Sequence, residues 1–149
     1  MPMHVSSKAF SEGQPIPEKY SCDGQNVSPP LNWDGVPENT KSLAIIIDDP
    51  DAPSGTFTHW ILYDLPAKTP ELKEGSSGGG KEGVNGFKET GYGGPCPPPN
   101  GVHRYLFHIY ALDIESLGKA GLSKQDITAA MKGHVLAEGQ LIGKYKRAK

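Results

Sequence analysis

Glycine and proline constrain the fold of this chain more than any other feature of its sequence. The 149 residues include 19 Gly and 14 Pro, spread from end to end, so the apolar residues fall into short runs. Short apolar runs separated by turn-forming residues are typical of all-β proteins, and long amphipathic helices are mostly absent. We therefore predict a mainly β fold, a two-layer antiparallel β-sandwich with one or two short helices, in a single domain over residues 1–149.

The predicted strands are short apolar segments at Met3–Ser6, Leu31–Trp33, Leu43–Asp48, His59–Asp64, Tyr105–Leu112 and around Leu136–Tyr145. Ser42–Ile47 lacks polar alternation, which indicates a strand covered on both faces. One helix is predicted after Ser123, which can form a capping box with Asp126, and it ends before Gly133. The Gly- and Ser-rich segment 75–83 is predicted to be a flexible loop.

Charge and hydropathy exclude several kinds of partner. The net charge is −2, with 15 basic and 17 acidic residues intermixed, so no basic surface for nucleic acid is expected. No apolar run approaches the ~20 residues of a membrane span, and the N-terminus lacks the apolar segment of a signal peptide. We expect a cytoplasmic protein that does not bind nucleic acid.

Two cysteines, Cys22 and Cys96, are too few for a disulfide-rich scaffold and lack zinc-type spacing. Free thiols are the default interpretation. Both residues adjoin Gly- and Pro-rich segments, however, so a folded chain could bring them together as a disulfide.

Two rigid loops carry the residues that suggest a polar pocket. Asp48-Asp49-Pro50-Asp51-Ala52-Pro53 places carboxylates at the end of a buried strand, where two prolines stiffen the backbone. A second Gly- and Pro-rich loop, Gly91–Gly101, leads into His103 and Tyr105, which share one face of their strand because side chains repeat every second residue.

Six segments, in order, resemble the phosphatidylethanolamine-binding protein family, which includes the Raf kinase inhibitor proteins. They are Tyr20–Gly24, Ser28–Trp33, Asp49–Pro53, Thr58–Trp60, Gly91–Pro95 and His103–Tyr105. The chain resembles the short bacterial and archaeal branch of that family, and the resemblance covers nearly its whole length.

The resemblance implies a two-sheet antiparallel fold with a small anion pocket at one end. The residues that match the family's pocket are Asp49, Asp51, Pro53 as a cis-proline, His59, Gly94, Pro95, His103 and Tyr105. In that pocket Asp49 is expected to orient an imidazole. Asp51 either lines the pocket or braces its own turn, and Arg104 is expected to hold a scaffold carboxylate.

The function expected from these residues is binding, without a cofactor, of a small phosphate-like or carboxylate-like anion, with modulation of a protein partner. Alternatives are an inhibitor of a protease or kinase, and an enzyme that uses Asp49, His59 and His103 as acid–base groups. The same three residues could instead hold a metal, although their spacing argues against it. The short branch often dimerises, so a homodimer is expected.

Further expectations concern other aromatic and histidine residues. Tyr92 either packs as a core-edge aromatic or lines the pocket, whereas His4, His108 and His134 have no evident partners and are expected at the core edge or the surface. If His59 and His103 are both protonated around a bound anion, binding should be best at about pH 5.5 to 7.

Overall fold

The fold is described by a computed structural model that covers residues 3–99 and 101–147. The strands are β1 (His4–Ser6), β2 (Leu31–Asp34), β3 (Ser42–Asp49), β4 (Phe57–Pro66), β5 (Glu71–Leu72), β6 (Lys81–Glu82), β7 (His103–Leu112) and β8 (Val135–Tyr145). A helix, α1, spans Lys124–Met131, and a 3-10 helix spans Glu18–Tyr20. Asn100 in the predicted second loop, and both ends of the predicted domain, lie outside the described residues.

The strands form two antiparallel sheets, one in the order β1–β2–β5 and the other in the order β6–β4–β3–β7–β8. The mainly β fold with two sheets is therefore confirmed. β3 lies at the centre of the larger sheet, between β4 and β7, and each of its eight residues is buried. The segment predicted to be covered on both faces is indeed covered on both.

Alternation along β3 divides the apolar core into two parts. Leu43, Ile45 and Ile47 point into the cluster between the two sheets, which also contains Leu31, Trp33, Leu62, Phe107 and Ile109. Ala44 and Ile46 point the other way, into a smaller cluster completed by Ile127 and Met131 of α1. The helix thus covers the face of the larger sheet that the smaller sheet leaves open.

The start of α1 agrees with the capping box predicted from its sequence. The Asp126 amide donates to Ser123 Oγ at 3.1 Å, and the Ser123 amide donates to Asp126 Oδ2 at 3.4 Å. These contacts satisfy backbone donors that have no partner within the helix.

The prediction of a flexible loop over 75–83 is wrong at its end, because Lys81 and Glu82 form β6 and pair with Tyr63 and Leu62. β5 and β6 have two residues each, too few to show a strand periodicity in the sequence. No helix among residues 3–99 and 101–147 is long and apolar enough to span a membrane.

Cys22 and Cys96 form a disulfide across 74 positions of sequence. The bond joins the segment after the 3-10 helix to the second loop. Beside it, the Cys22 amide donates to the Pro95 carbonyl at 3.0 Å. The structure therefore contains the disulfide and not two free thiols.

Candidate functional site

A cavity of about 160 Å³ opens where β3 ends and where β4 and β7 begin. Its walls consist of Asp49, Ala52, Pro53, Phe57, His59, Phe87, Cys96, Pro97, Pro98, His103 and Tyr105. A water molecule takes about 30 Å³ of liquid, and pockets for drug-sized ligands begin at about 300 Å³. The cavity therefore has room for a small head group.

Asp49 and His103 form the charged part of this cavity. His103 Nδ1 lies 2.7 Å from Asp49 Oδ2, and the two side chains are 12% and 4% exposed. The other carboxylate oxygen accepts the Asp51 amide at 2.8 Å. Since an ionised carboxylate only accepts, Nδ1 of His103 is a donor, and its Nε2 has no protein hydrogen bond within the described residues. Asp49 thus orients the imidazole as expected.

His59 is held by the second loop in a defined tautomer. Its Nδ1 lies 2.7 Å from the Gly93 carbonyl, and its own carbonyl accepts the Gly93 amide at 3.0 Å. A carbonyl can only accept, so Nδ1 carries the proton. Burial lowers the pKa of His59, which keeps the ring neutral near pH 7 and leaves Nε2 as an acceptor. The expectation of two protonated imidazoles concerns the protein around a bound anion and stays a prediction, whereas His59 is neutral in the ligand-free protein.

Tyr105 forms the buried wall of the cavity between these histidines. Its side chain is 0% exposed, and its hydroxyl has no hydrogen bond of acceptable geometry with any described residue. Burial, followed by the nearby Asp49 carboxylate, raises its pKa, so the phenol stays protonated. The Asp49 carboxylate is close enough to this hydroxyl to raise its pKa as a hydrogen-bond acceptor, but the geometry is too poor for a full hydrogen bond, so Tyr105 remains a poorly satisfied donor. A buried hydroxyl without a good partner costs about 1–3 kcal/mol.

An aromatic rim surrounds the polar groups. The Phe57 ring centre lies 5.0 Å from His59 and 4.8 Å from Phe87, and Phe87 is 42% exposed. A Cβ at Gly86 would lie 2.6 Å from the Phe57 ring, and one at Gly93 would lie 2.5 Å from Phe87. Glycine at these two positions makes room for the rim.

Asn85 holds Phe87 in place from within the same loop. The Asn85 side chain accepts the Phe87 amide at 2.8 Å and donates to the Gly91 carbonyl at 2.9 Å. Its own amide donates to Glu89 at 2.8 Å. Phe87 is not among the residues predicted from the sequence. The signal for it is its position directly after Asn85-Gly86, a pair typical of turns.

Asp51 does not line the cavity and instead braces the first loop. Arg104 donates to Asp51 from its backbone N and from Nε at 2.9 Å each, and from Nη2 at 2.8 Å. These hydrogen bonds from Arg104 lower the pKa of Asp51 to about 2. The predicted role of Arg104 agrees with these contacts, and the turn-bracing interpretation of Asp51 is favoured.

Gly94 and Pro95 also lie behind the cavity wall rather than in it. The Gly94 amide donates to Asn26 Oδ1 at 2.8 Å, and Pro95 accepts the Cys22 amide. A Cβ on Gly94 would meet the Tyr20 carbonyl at 2.1 Å, so the close approach of the two segments requires glycine. These residues position the second loop.

Pro53 lines the cavity, but the expectation that it is cis is wrong, because every peptide bond within the described residues is trans. The first loop closes instead through its hydrogen bonds, including that from the Gly55 amide to the Ala52 carbonyl at 3.1 Å.

Tyr92, His108 and His134 also differ from expectation. Tyr92 lies outside the cavity wall, because its hydroxyl donates to the Tyr20 carbonyl at 2.7 Å. His134 Nδ1 lies 2.7 Å from Asp113, and His108 Nε2 lies 4.0 Å from Asp48. These carboxylate partners come from distant strands and loops, which the local sequence could not show.

Metal ligation is not favoured by this arrangement. Across residues 3–99 and 101–147, no three His, Cys, Asp or Glu side chains are grouped so that they could hold a metal ion.

Comparison with known proteins identifies relatives over nearly the whole chain. The profile of the phosphatidylethanolamine-binding protein family matches residues 6–146. A UPF0098 protein of Aquifex aeolicus is 50% identical over 97% of this chain and 89% of its own length. A UPF0098 protein of Methanothermobacter thermautotrophicus is 48% identical over 97% of this chain and 99% of its own length.

Solved structures give the same result. A phosphatidylethanolamine-binding protein homologue from Chlamydia trachomatis superposes with a TM-score of 0.93, at 42% identity and 98% coverage of both chains. YbcL of E. coli, described as a member of the mammalian family, superposes with a TM-score of 0.91, at 29% identity and 99% coverage of both chains.

Proposed function

The chain belongs to the phosphatidylethanolamine-binding protein family, and from that premise we propose that it is a binding protein whose cavity takes a small phosphate-like monoanion. The observation that carries the proposal is the buried Tyr105 hydroxyl, which forms no hydrogen bond of good geometry among the described residues and belongs to a residue that lines the cavity with two imidazoles. A ligand oxygen would supply the missing acceptor.

The hydrogen-bonding character of each wall residue specifies the ligand. Tyr105 is a donor, and His103 donates from Nε2 when it is protonated. His59 Nε2 is an acceptor, because its Nδ1 donates to Gly93. A phosphate monoanion has both acceptor oxygens and O–H groups, so it satisfies all three. The dianion of a phosphate monoester would place a second charge near the Asp49 carboxylate and has no O–H to donate to His59.

The apolar part of the cavity specifies what the anion carries. Phe57, Phe87, Pro53 and Pro98 surround its mouth and provide no strong donors. A small apolar substituent on the anion would cover these surfaces, so we expect phenyl phosphate to bind more tightly than inorganic phosphate.

The test removes Nε2 of His103 while keeping a partner for Asp49. In His103→Asn the amide nitrogen can still donate to Asp49, whereas alanine would leave a buried carboxylate without that donor. Loss of a charge-assisted hydrogen bond of about 1.5–3 kcal/mol should weaken phenyl phosphate binding at least tenfold by calorimetry.

A matched control is available outside the cavity. His134 makes the same 2.7 Å contact to a carboxylate, that of Asp113, and is not part of the cavity wall. His134→Asn should bind phenyl phosphate like the unaltered protein. If the unaltered protein does not bind either phosphate, or if His103→Asn binds equally well, the proposed function is wrong.

A further inference from the structure

One wall of the cavity depends on the disulfide. Cys96, Pro97 and Pro98 line the cavity, and Pro99 follows them. The three prolines have no amide hydrogen to donate. No hydrogen bond joins residues 96–99 or 101–102 to another described residue. Besides the burial of Pro97 and the hydrogen bond from the Cys22 amide to the adjoining Pro95, the bond from Cys96 to Cys22 is therefore the described link that ties this wall to another segment.

The Cys22 end of the bond is firmly anchored. The Asp23 amide donates to Ser21 Oγ at 3.0 Å, and Asp23 accepts from Tyr145 Oη at 2.7 Å and from Arg147. Tyr145 is the last residue of β8. The disulfide thus ties a wall without hydrogen bonds to a segment that is fixed to the larger sheet.

The bond is also open to solution. Cys96 is an exposed residue and Cys22 is half-buried, so the bond lies near the surface, where a soluble thiol can approach it. A dithiol reductant would attack one sulfur as a thiolate and form a mixed disulfide. Its second thiol would then displace the remaining cysteine. Two electrons and two protons pass to Cys22 and Cys96, and the reductant leaves as a cyclic disulfide.

We propose that Cys22–Cys96 is a thiol–disulfide exchange site that controls the anion cavity: the oxidised protein holds the 96–98 wall in place, and a dithiol releases it and weakens binding. The inference rests on the proposed function. It differs from a purely stabilising role because the bond closes the cavity wall itself, whereas His103, Tyr105 and Asp49 are held by the pairing of β7 with β8 and β3.

The test compares two states of the full chain. The oxidised protein has no titratable thiols, and the protein treated with dithiothreitol has two titratable thiols. Calorimetry with phenyl phosphate should show at least tenfold weaker binding in the reduced protein. The Cys22→Ser/Cys96→Ser variant should bind like the reduced protein and should not respond to dithiothreitol. Equal affinity of the oxidised and reduced forms, with thiol counts confirmed, would overturn the proposal.

A second measurement separates this proposal from the proposed function. Amide hydrogen exchange and NMR shifts at residues 96, 101 and 102 report the wall without any ligand. Reduction should speed exchange and shift these amides while leaving those of β3 unchanged. If the oxidised protein binds no phosphate but these amides respond, the proposed function fails and the disulfide's control of the wall stands. If they do not respond, the exchange-site proposal fails.

Discussion

Replacing Tyr105 by Phe should make the ligand-free protein more stable and its anion binding weaker. The tyrosine hydroxyl is buried without a partner of acceptable geometry among the described residues, an arrangement that costs about 1–3 kcal/mol. Phenylalanine fills the same space without that cost. The free energy of unfolding should therefore rise by about 1 kcal/mol or more, which for a chain of this length raises Tm by about 2–4 °C per kcal/mol. Loss of the donor should weaken phosphate binding by about 2- to 10-fold.

Urea unfolding of the disulfide-intact protein, followed by fluorescence of the buried Trp33 and Trp60, measures the stability change. Tyr63→Phe is the matched control. Tyr63 is equally buried, but its hydroxyl donates to the Lys119 carbonyl at 2.5 Å and accepts the Leu122 amide at 3.3 Å. That variant should lose stability and keep its phosphate affinity. A Tyr105→Phe protein that is destabilised like Tyr63→Phe would refute the reasoning, because the hydroxyl would then have a partner within the protein.

Two further predictions concern the aromatic rim and pH. Gly93→Ala places a Cβ 2.5 Å from the Phe87 ring, so the rim must shift and phenyl phosphate binding should weaken at least tenfold. The control is Gly101→Ala, whose Cβ meets nothing within 4 Å and which should bind phenyl phosphate normally. Equal binding by the two variants would count against a role of the rim in binding. Burial lowers the pKa of His59 and His108, so the unfolded chain binds more protons. The free energy of unfolding should therefore be level above about pH 7 and should fall as the pH decreases below the unfolded histidine pKa of about 6.5. Urea unfolding that shows the protein becoming more stable from about pH 7.5 to pH 5 would contradict this prediction.

Much of the site could be predicted because its main groups lie at strand ends. Asp49 ends a strand recognisable from its unbroken apolar run, and His103 and Tyr105 begin another, with the spacing that puts them on one face. The family resemblance added His59. The fold class followed from the distribution of Gly and Pro, although strands of two residues left no pattern to detect.

What could not be predicted depends on contacts between distant segments. Asp51 has its partner, Arg104, 53 positions away, and this contact moves Asp51 from the cavity to the scaffold. The tautomer of His59 is set by the Gly93 carbonyl, 34 positions away. Phe87 reaches the rim only because Gly86 and Gly93 leave room for two rings. No local pattern carries such information.

Titration of ¹⁵N-labelled oxidised protein with inorganic phosphate, with every amide and imidazole signal followed, shows whether the small cavity at the end of β3 binds an anion. A larger apolar cavity of about 760 Å³, bordered by Lys124 on α1 and by Lys132 just after it, provides an internal comparison. We expect saturable shifts concentrated at Asp49, His59 and His103, with residues 124–132 unaffected. Shifts that centre on Lys124 and Lys132, or no saturable shift at the three cavity residues, would show that the anion does not bind in the small cavity.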